Sequence, residues 1–312
     1  MGVETLHITN GDSVLYLWKK AGLLGTQLAW RDILHEGPVP SGLSLEELSR
    51  IRTQFLAQNG YGNAIKIGRD FEKRDATIRR AREFDEVVLW FEHDLFDQLH
   101  VIQILSMLKE MDLHAGAVQL IQTDQYLGTL SAEELMALMP KRRSVTAAML
   151  ASADRVWRAF IASSATLLQA AAAERYVGLP FLHDALLRLC EEFPAMESGV
   201  SRTEKQLVEA AAKGARRQED LFRRSQAGEE AGFLSDKVCY AVIGRLCAPP
   251  EPLLALLEDG YDATVLGRRV LGGDADWLAY QPLDRWIGGI HLTREHHWRW
   301  NDETNHLVER AS

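Results

Sequence analysis

Short apolar runs alternate with stretches of helical period through the first 125 residues. Leu6-His7-Ile8-Thr9 reads as a strand that runs into Asn10-Gly11-Asp12-Ser13, and Val14 to Ala21 follows as a helix with an Asp or Ser cap. Thr26 to Trp30 is the next strand, broken by Arg31-Asp32-Ile33-Leu34-His35-Glu36-Gly37-Pro38, where Gly and Pro end any regular element. A charged helical stretch runs from about Leu43 to Phe84, with Ser44-Leu45-Glu46-Glu47 as its start and Arg79, Arg80 and Arg82 on a solvated face. Val87-Val88-Leu89-Trp90-Phe91 has no polar interruption, as expected of a parallel strand buried on both faces. It ends in Glu92-His93-Asp94, and Leu95 to Lys109 continues as an amphipathic helix. Val118 to Ile121 forms a fourth strand, closed by Gln122-Thr123-Asp124-Gln125. Strands alternating with helices predict right-handed βαβ units and a parallel sheet covered on both faces.

The pattern changes after Ser131-Ala132-Glu133-Glu134, which opens a helix. Ala147 to Ala173 is rich in Ala, helices dominate through Cys190, and Ser201-Arg202-Thr203-Glu204 is a capping box before another. Helical segments over Gln218 to Arg224 and Ser235 to Leu246 follow, then Pro249, Pro250 and Pro252, and Ala263 to Trp300 reads as short strands and turns around Thr264 to Leu271. Three helices before a small hairpin is the order of a winged helix. The expected fold is therefore α/β: a Rossmann-like parallel sheet domain over residues 1–138, a helical linker over 139–195, and a mainly helical, winged-helix-like domain over 196–312.

The chain has 312 residues and a formal net charge of -9, which argues against a uniformly basic, phosphate-hugging protein. Only residues 139–226 are basic, with 14 Lys and Arg against 10 Asp and Glu. No apolar run reaches the roughly 18 residues of a membrane span, and the start lacks the basic flank and apolar stretch of a leader, so a cytoplasmic protein that makes no membrane contact is expected. Cys190, Cys239 and Cys247 fit no zinc or redox spacing and read as buried thiols.

Three stretches resemble a bacterial domain-of-unknown-function family, number eighteen thirty-five: His7-Ile8-Thr9-Asn10-Gly11-Asp12-Ser13, Trp30 to Pro38, and Glu92-His93-Asp94-Leu95-Phe96-Asp97-Gln98. The resemblance covers about the first 125 residues. Asp284-Arg285-Trp286-Ile287-Gly288-Gly289-Ile290-His291-Leu292 and Trp298-Arg299-Trp300 are similar to the companion C-terminal domain found in the same proteins. The resemblance implies an architecture and a set of site residues and transfers no reaction.

Open parallel sheets bind ligands at the carboxyl ends of their strands. Four successive strand ends deliver Asn10, Asp12 and Ser13; Arg31, Asp32, His35 and Glu36; Glu92, His93, Asp94 and Asp97; and Asp124 to one edge. Carboxylates and imidazole suit divalent cations, so Asp12, Glu92, Asp94 and Asp97 are the candidate ligands of Mg, Mn or Zn. The alternative is that Asp94 caps the following helix while Glu92 and His93 pair with Arg31. Asn10, Gly11 and Ser13 at a strand-to-helix turn suit a phosphate on helix amides, with Gln98 and Asp124 beside them. A Ser13 nucleophile with His35 or His93 as base and Asp32 or Asp94 behind it is a further arrangement. Asp32, His35, His93 and Glu36 fit general acid–base work with Arg31 fixing an anion, or else Arg31 to Pro38 is an internally salt-bridged loop.

In the C-terminal half, Trp286, Trp298 and Trp300 either pack the hairpin or stack on bases. Lys141-Arg142-Arg143 and Arg216, Arg217, Arg223 and Arg224 are either solvated helix faces or a nucleic-acid footprint. Together the residues point to a metal-assisted hydrolase acting on a phosphate-bearing or nucleotide-like small molecule. The alternative is a ligand-sensing regulator whose C-terminal domain binds DNA or a protein partner.

Overall fold

The structure, a computed structural model, describes residues 4–111, 113–114 and 116–311. Residues 1–3, on which the reading of the chain's start partly rests, lie outside the described residues. The protein is α/β. Strands β1 (Thr5–Thr9), β2 (Thr26–Ala29), β4 (Glu86–Glu92) and β5 (Val118–Thr123) lie parallel in the order β2-β1-β4-β5, and the short β6 (Arg143–Ser144) closes the sheet antiparallel to β5. The strand β3 (Gly37–Pro38) lies apart from this sheet.

Alternation along the central strand assigns each face its cover. Val88 and Trp90 pack with Val14 and Trp18 of α1 (Asp12–Ala21) and with Leu135 of α5 (Ala132–Met136). Val87, Leu89 and Phe91 point the other way, into the main core with α4 (Leu95–Lys109) and α6 (Ala147–Ile161). This explains why α4 departs from the amphipathic pattern expected of it. It is buried almost all round, because the sheet lies on one side and α6 on another, and His100, Gln103 and Ser106 go into the interior with its aliphatic residues.

The charged stretch from Leu43 to Phe84 divides into α2 (Leu45–Gln58) and α3 (Ala64–Arg79), because Asn59 closes one helix and the Asn63 side chain caps the next. The Ala-rich stretch likewise divides, at extended Ala162 and Ser164, into α6 and α7 (Ala165–Ala172); α8 (Leu182–Cys190) follows. The helices α9 (Arg202–Ala212), α10 (Gln218–Gln226) and α11 (Asp236–Leu246) precede an antiparallel hairpin of β7 (Leu254–Leu257) and β8 (Gly260–Ala263). The hairpin thus comes earlier than expected, and Val265–Leu271, read as strand and turn, is a helix, α12. Its two valines favour strand locally and Gly267 weakens a helix, but Thr264 caps its first turn and buried Val270 anchors it against the helical core.

The chain ends in β9 (Asp284–Gly288), β10 (Ile290–Thr293), β11 (His296–Asn301) and β12 (His306–Ala311). β9 pairs with β10 and returns to the first half by pairing parallel with β3, Gly37 opposite Ile287. Gly288 and Gly289 make that return possible. A Cβ on them would lie 2.2 Å from the Phe160 carbonyl oxygen and 1.9 Å from that of Ile161, at the end of α6. The main core accordingly draws residues from both ends of the chain, Leu6 and Ile8 with Ile287, Leu292 and Trp300. Among the described residues no helix is long and apolar enough to cross a membrane.

Candidate functional site

Parallel pairing of β1, β4 and β5 carries Asn10, Glu92 and Asp124 to the carboxyl edge of the sheet. Glu92 is the last residue of β4, Asp94 the N-cap of α4, and Asp97 lies in that helix's first turn. The strand-to-helix turn folds the three together, and one oxygen from each lies within 4.8 Å of the others. Asp94 Oδ1 accepts the Asp97 N–H at 3.0 Å, so the helix cap is real and the cluster exists beside it. Asp97 accepts from the Glu92 N–H at 2.5 Å and from Asn10 Nδ2 at 2.7 Å, which ties β1 to the turn. Glu92 Oε1 accepts the Leu127 N–H at 2.8 Å. Gln98 is fully buried; its Nε2 donates to the Glu92 carbonyl at 2.7 Å and its Oε1 has no partner among the described residues.

What distinguishes this cluster is the absence of counter-charge. Buried carboxylates are normally paired, since an isolated one is costly in a low dielectric. Asp32, Glu36, Asp75, Asp154, Glu192 and Glu204 each have an Arg or Lys nitrogen at 2.5 to 3.9 Å. Glu92, Asp94 and Asp97 are equally buried, and among the described residues no Arg or Lys pairs with any of them. Their acidities respond. Burial, then the Asp94 charge, pushes Glu92 up to about 7, and burial pushes Asp94 up to about 6. Asp97 goes well above the ordinary carboxylate range through burial and the charges of Asp94 and Glu92.

His93 follows on the outer side of the cluster, its ring 5.4 Å from Tyr126 and 5.8 Å from Phe181. It borders a cleft of about 360 Å³ between the start of α4, α8 and residues 229–231. Its Nδ1 is buried without a partner among the described residues, and burial holds the ring's pKa below the ordinary histidine value. Asp124 is exposed at the end of β5.

The remaining expected residues separate from the triad. Asp12 is exposed and bound by Arg31, whose Nε donates to Oδ1 at 3.0 Å, so neither joins Glu92 or His93. That pairing, strongest through its hydrogen bond, lowers the Asp12 pKa and raises that of Arg31. Gly11 is extended and open, and Ser13 is exposed beside Gly128. Asp32 is buried and held by Arg52 at 2.9 Å; burial pushes its carboxyl up, and Arg52 and Arg74 outweigh that to leave it low. His35 is buried with neither nitrogen bonded among the described residues, in edge contact with Phe233 at 5.0 Å, and burial lowers it to about 4. Glu36 is buried and faces Arg245 at 3.2 Å and Arg285 at 3.7 Å, which hold it low against burial. The Arg31 to Pro38 loop is thus mostly an internal ion-paired structure, with Arg31 its one charged residue turned partly toward solvent.

Sequence reasoning missed Arg52 and Arg74, which build that loop. Arg52 donates to Asp32 and to the carbonyls of Ile33 and Glu36, and Arg74 lies 4.7 Å over the Trp30 ring. A signal was present: Arg52 stands four residues from both Leu48 and Leu56 on the buried stripe of α2, and Arg74 sits between Phe71 and Ile78 on that of α3. The chain was compared with models of known protein families and with curated proteins, and neither comparison finds a match.

Proposed function

We propose that the carboxyl edge of the sheet is the cation centre of a metal-assisted hydrolase acting on a phosphate-bearing or nucleotide-like small molecule. The observation that carries this reading is the triad of buried carboxylates without a counter-ion, in a protein that gives its other buried carboxylates an Arg or Lys. Oxygen donors only, confined to one turn, fit a hard divalent cation such as Mg or Mn better than Zn. A cation there supplies positive charge for a phosphoryl oxygen and a water nucleophile near neutral pH. Glu92, Asp94 and Asp97 hold it, and Asn10 keeps Asp97 in place. His93, at the cleft and free at Nδ1, is the proton-handling group. Arg31, half exposed, binds the anionic end.

The sheet order β2-β1-β4-β5 with helices on both faces supports a Rossmann-like reading of residues 1–138. The order α9, α10, α11, hairpin supports a winged-helix reading within residues 196–312. The family resemblance belongs to the same reading, since two of its motifs meet where β3 pairs with β9. Nucleic-acid binding by the second half has weaker support. Arg216 faces Asp262 at 3.5 Å, Arg217 faces Glu219 at 3.5 Å, Arg223 bonds Asp220, and Arg224 donates to the Lys213 carbonyl.

The test is phosphate release from a panel of nucleotides, sugar phosphates and simple phosphate esters, with Mg, Mn or Zn, by the wild type and Asp94→Asn. Cation-dependent turnover that is lost in a folded Asp94→Asn protein supports the reading. Turnover that survives in that variant, or none with any cation, removes the triad from catalysis.

A further inference from the structure

A second cavity, of about 270 Å³, lies at the junction where β3 meets β9, away from the triad, and residues of two resemblance motifs line it: Glu36 and Gly37 from one, Arg285 and Trp286 from the other. The end of α2 supplies Phe55, α11 supplies Arg245, and the segment before β9 supplies Trp277, Leu278 and Gln281. One wall is apolar, formed by Phe55, Trp277 and Leu278 with nearby prolines. The other carries both signs of charge side by side.

Those charged groups keep unused hydrogen-bonding capacity. Arg245 donates to Glu36 by long bonds of 3.2 and 3.5 Å. Arg285 gives both terminal nitrogens to Glu192, and its Nε is buried without a partner among the described residues. Glu204 Oε2 accepts the Ser201 N–H at 2.8 Å, while Oε1 stands 3.9 Å from Arg285. Gln281 holds its amide by long bonds of 3.3 and 3.4 Å, and its buried Oε1 has no partner. Donors and acceptors left unpaired behind the cavity wall show that the protein alone does not close this polar network.

The balance of charge selects the ligand. Two guanidinium groups face two buried carboxylates, with Asp284 at the exposed rim paired to His291, so a net anion such as a nucleotide meets repulsion from Glu36 and Glu204, and a net cation meets it from Arg245 and Arg285. A zwitterion satisfies both. The volume lies at or below the roughly 300 Å³ at which drug-sized pockets begin, which restricts the occupant to a molecule of amino-acid size. We propose that this cavity binds a free α-amino acid with a bulky apolar side chain: its carboxylate on Arg245, its ammonium on Glu36 and Glu204, and its side chain against Phe55, Trp277 and Leu278.

The test is calorimetric titration of the full chain with L-leucine and L-phenylalanine, alongside L-leucinamide, which lacks the carboxylate, and N-acetyl-L-leucine, which lacks the ammonium. Saturable binding of the free amino acids, weakened about tenfold or more in each blocked form, is expected, since each loses a charge-assisted bond. Arg245→Met should weaken binding by a similar factor, and Leu278→Trp, which fills the apolar end and leaves the ion network whole, should abolish it. No heat with either free amino acid overturns the proposal. So does N-acetyl-L-leucine binding as tightly as leucine, or unchanged binding in a folded Leu278→Trp protein.

Discussion

Replacing Glu92 with Gln isolates the electrostatic burden of the triad, because the amide keeps an oxygen to accept the Leu127 N–H and removes only the charge. In the fold, burial and then Asp94 raise the Glu92 carboxyl from 4.5 to about 7. The folded chain therefore holds this proton across a range in which the unfolded chain has released it. Stability contributed by that proton is complete below about 4.5 and is lost as pH rises through about 7. A raise of that size corresponds to about 3 kcal/mol of destabilisation once the group is ionised, an order-of-magnitude figure. In chelator, Glu92→Gln should be more stable than the wild type by up to about 3 kcal/mol near pH 8, with the gap closing toward about pH 5. A divalent cation at about 1,000 times its Kd should reverse the order, since it adds about 4.1 kcal/mol to the protein that binds it. Urea unfolding followed by far-ultraviolet circular dichroism, at both pH values and with and without Mn, reads all four quantities. If Glu92→Gln is destabilised equally at both pH values in chelator, the triad carries no uncompensated charge and the reasoning fails.

Other parts of the account make separate predictions. Arg52→Met strands buried Asp32 and three backbone carbonyls, and should lower the unfolding free energy by about 3 to 5 kcal/mol in urea titrations; a loss below about 1 kcal/mol would show that the loop does not depend on this residue. His35 is neutral in the fold with its pKa lowered by burial to about 4, so it contributes stability above 6.5 that is lost as pH falls toward about 4. His35→Phe should flatten the stability slope in that window, and an unchanged slope would place the acid sensitivity elsewhere. Gly289→Ala sets a Cβ against the Ile161 carbonyl and should cost about 1 to 3 kcal/mol, seen as a lower Tm; an unaltered Tm would mean that β9 does not dock on the end of α6 as described.

Much of the first half is legible from local pattern. The apolar run at Val87 to Phe91 defines the central strand because burial on both faces removes every polar position, and the Ser44 and Ser201 capping boxes set helix starts that the structure reproduces. The triad is legible for the same reason. Glu-His-Asp-x-x-Asp spans a strand end and the first helical turn, so the spacing alone brings the three carboxylates together. Asp12 is not part of it because its fate depends on Arg31, from another loop, and no local period encodes that meeting. The pairing of β3 with β9 joins residues some 250 positions apart and is equally invisible to local pattern. Arg52 and Arg74 escape because charge is read as solvation, although their neighbours four positions away are buried. In α12 the valines favour strand and Gly267 weakens a helix, and packing of Val270 decides otherwise.

The most direct test of the central claim is calorimetric titration of the metal-stripped chain with Mn near neutral pH, for the wild type and for Asp97→Asn. The account predicts saturable binding by the wild type, with proton release because Glu92, raised to about 7, is partly protonated in the metal-free fold, and loss of that binding in the folded variant. Absence of Mn binding by the wild type, or equal binding by Asp97→Asn, would contradict it.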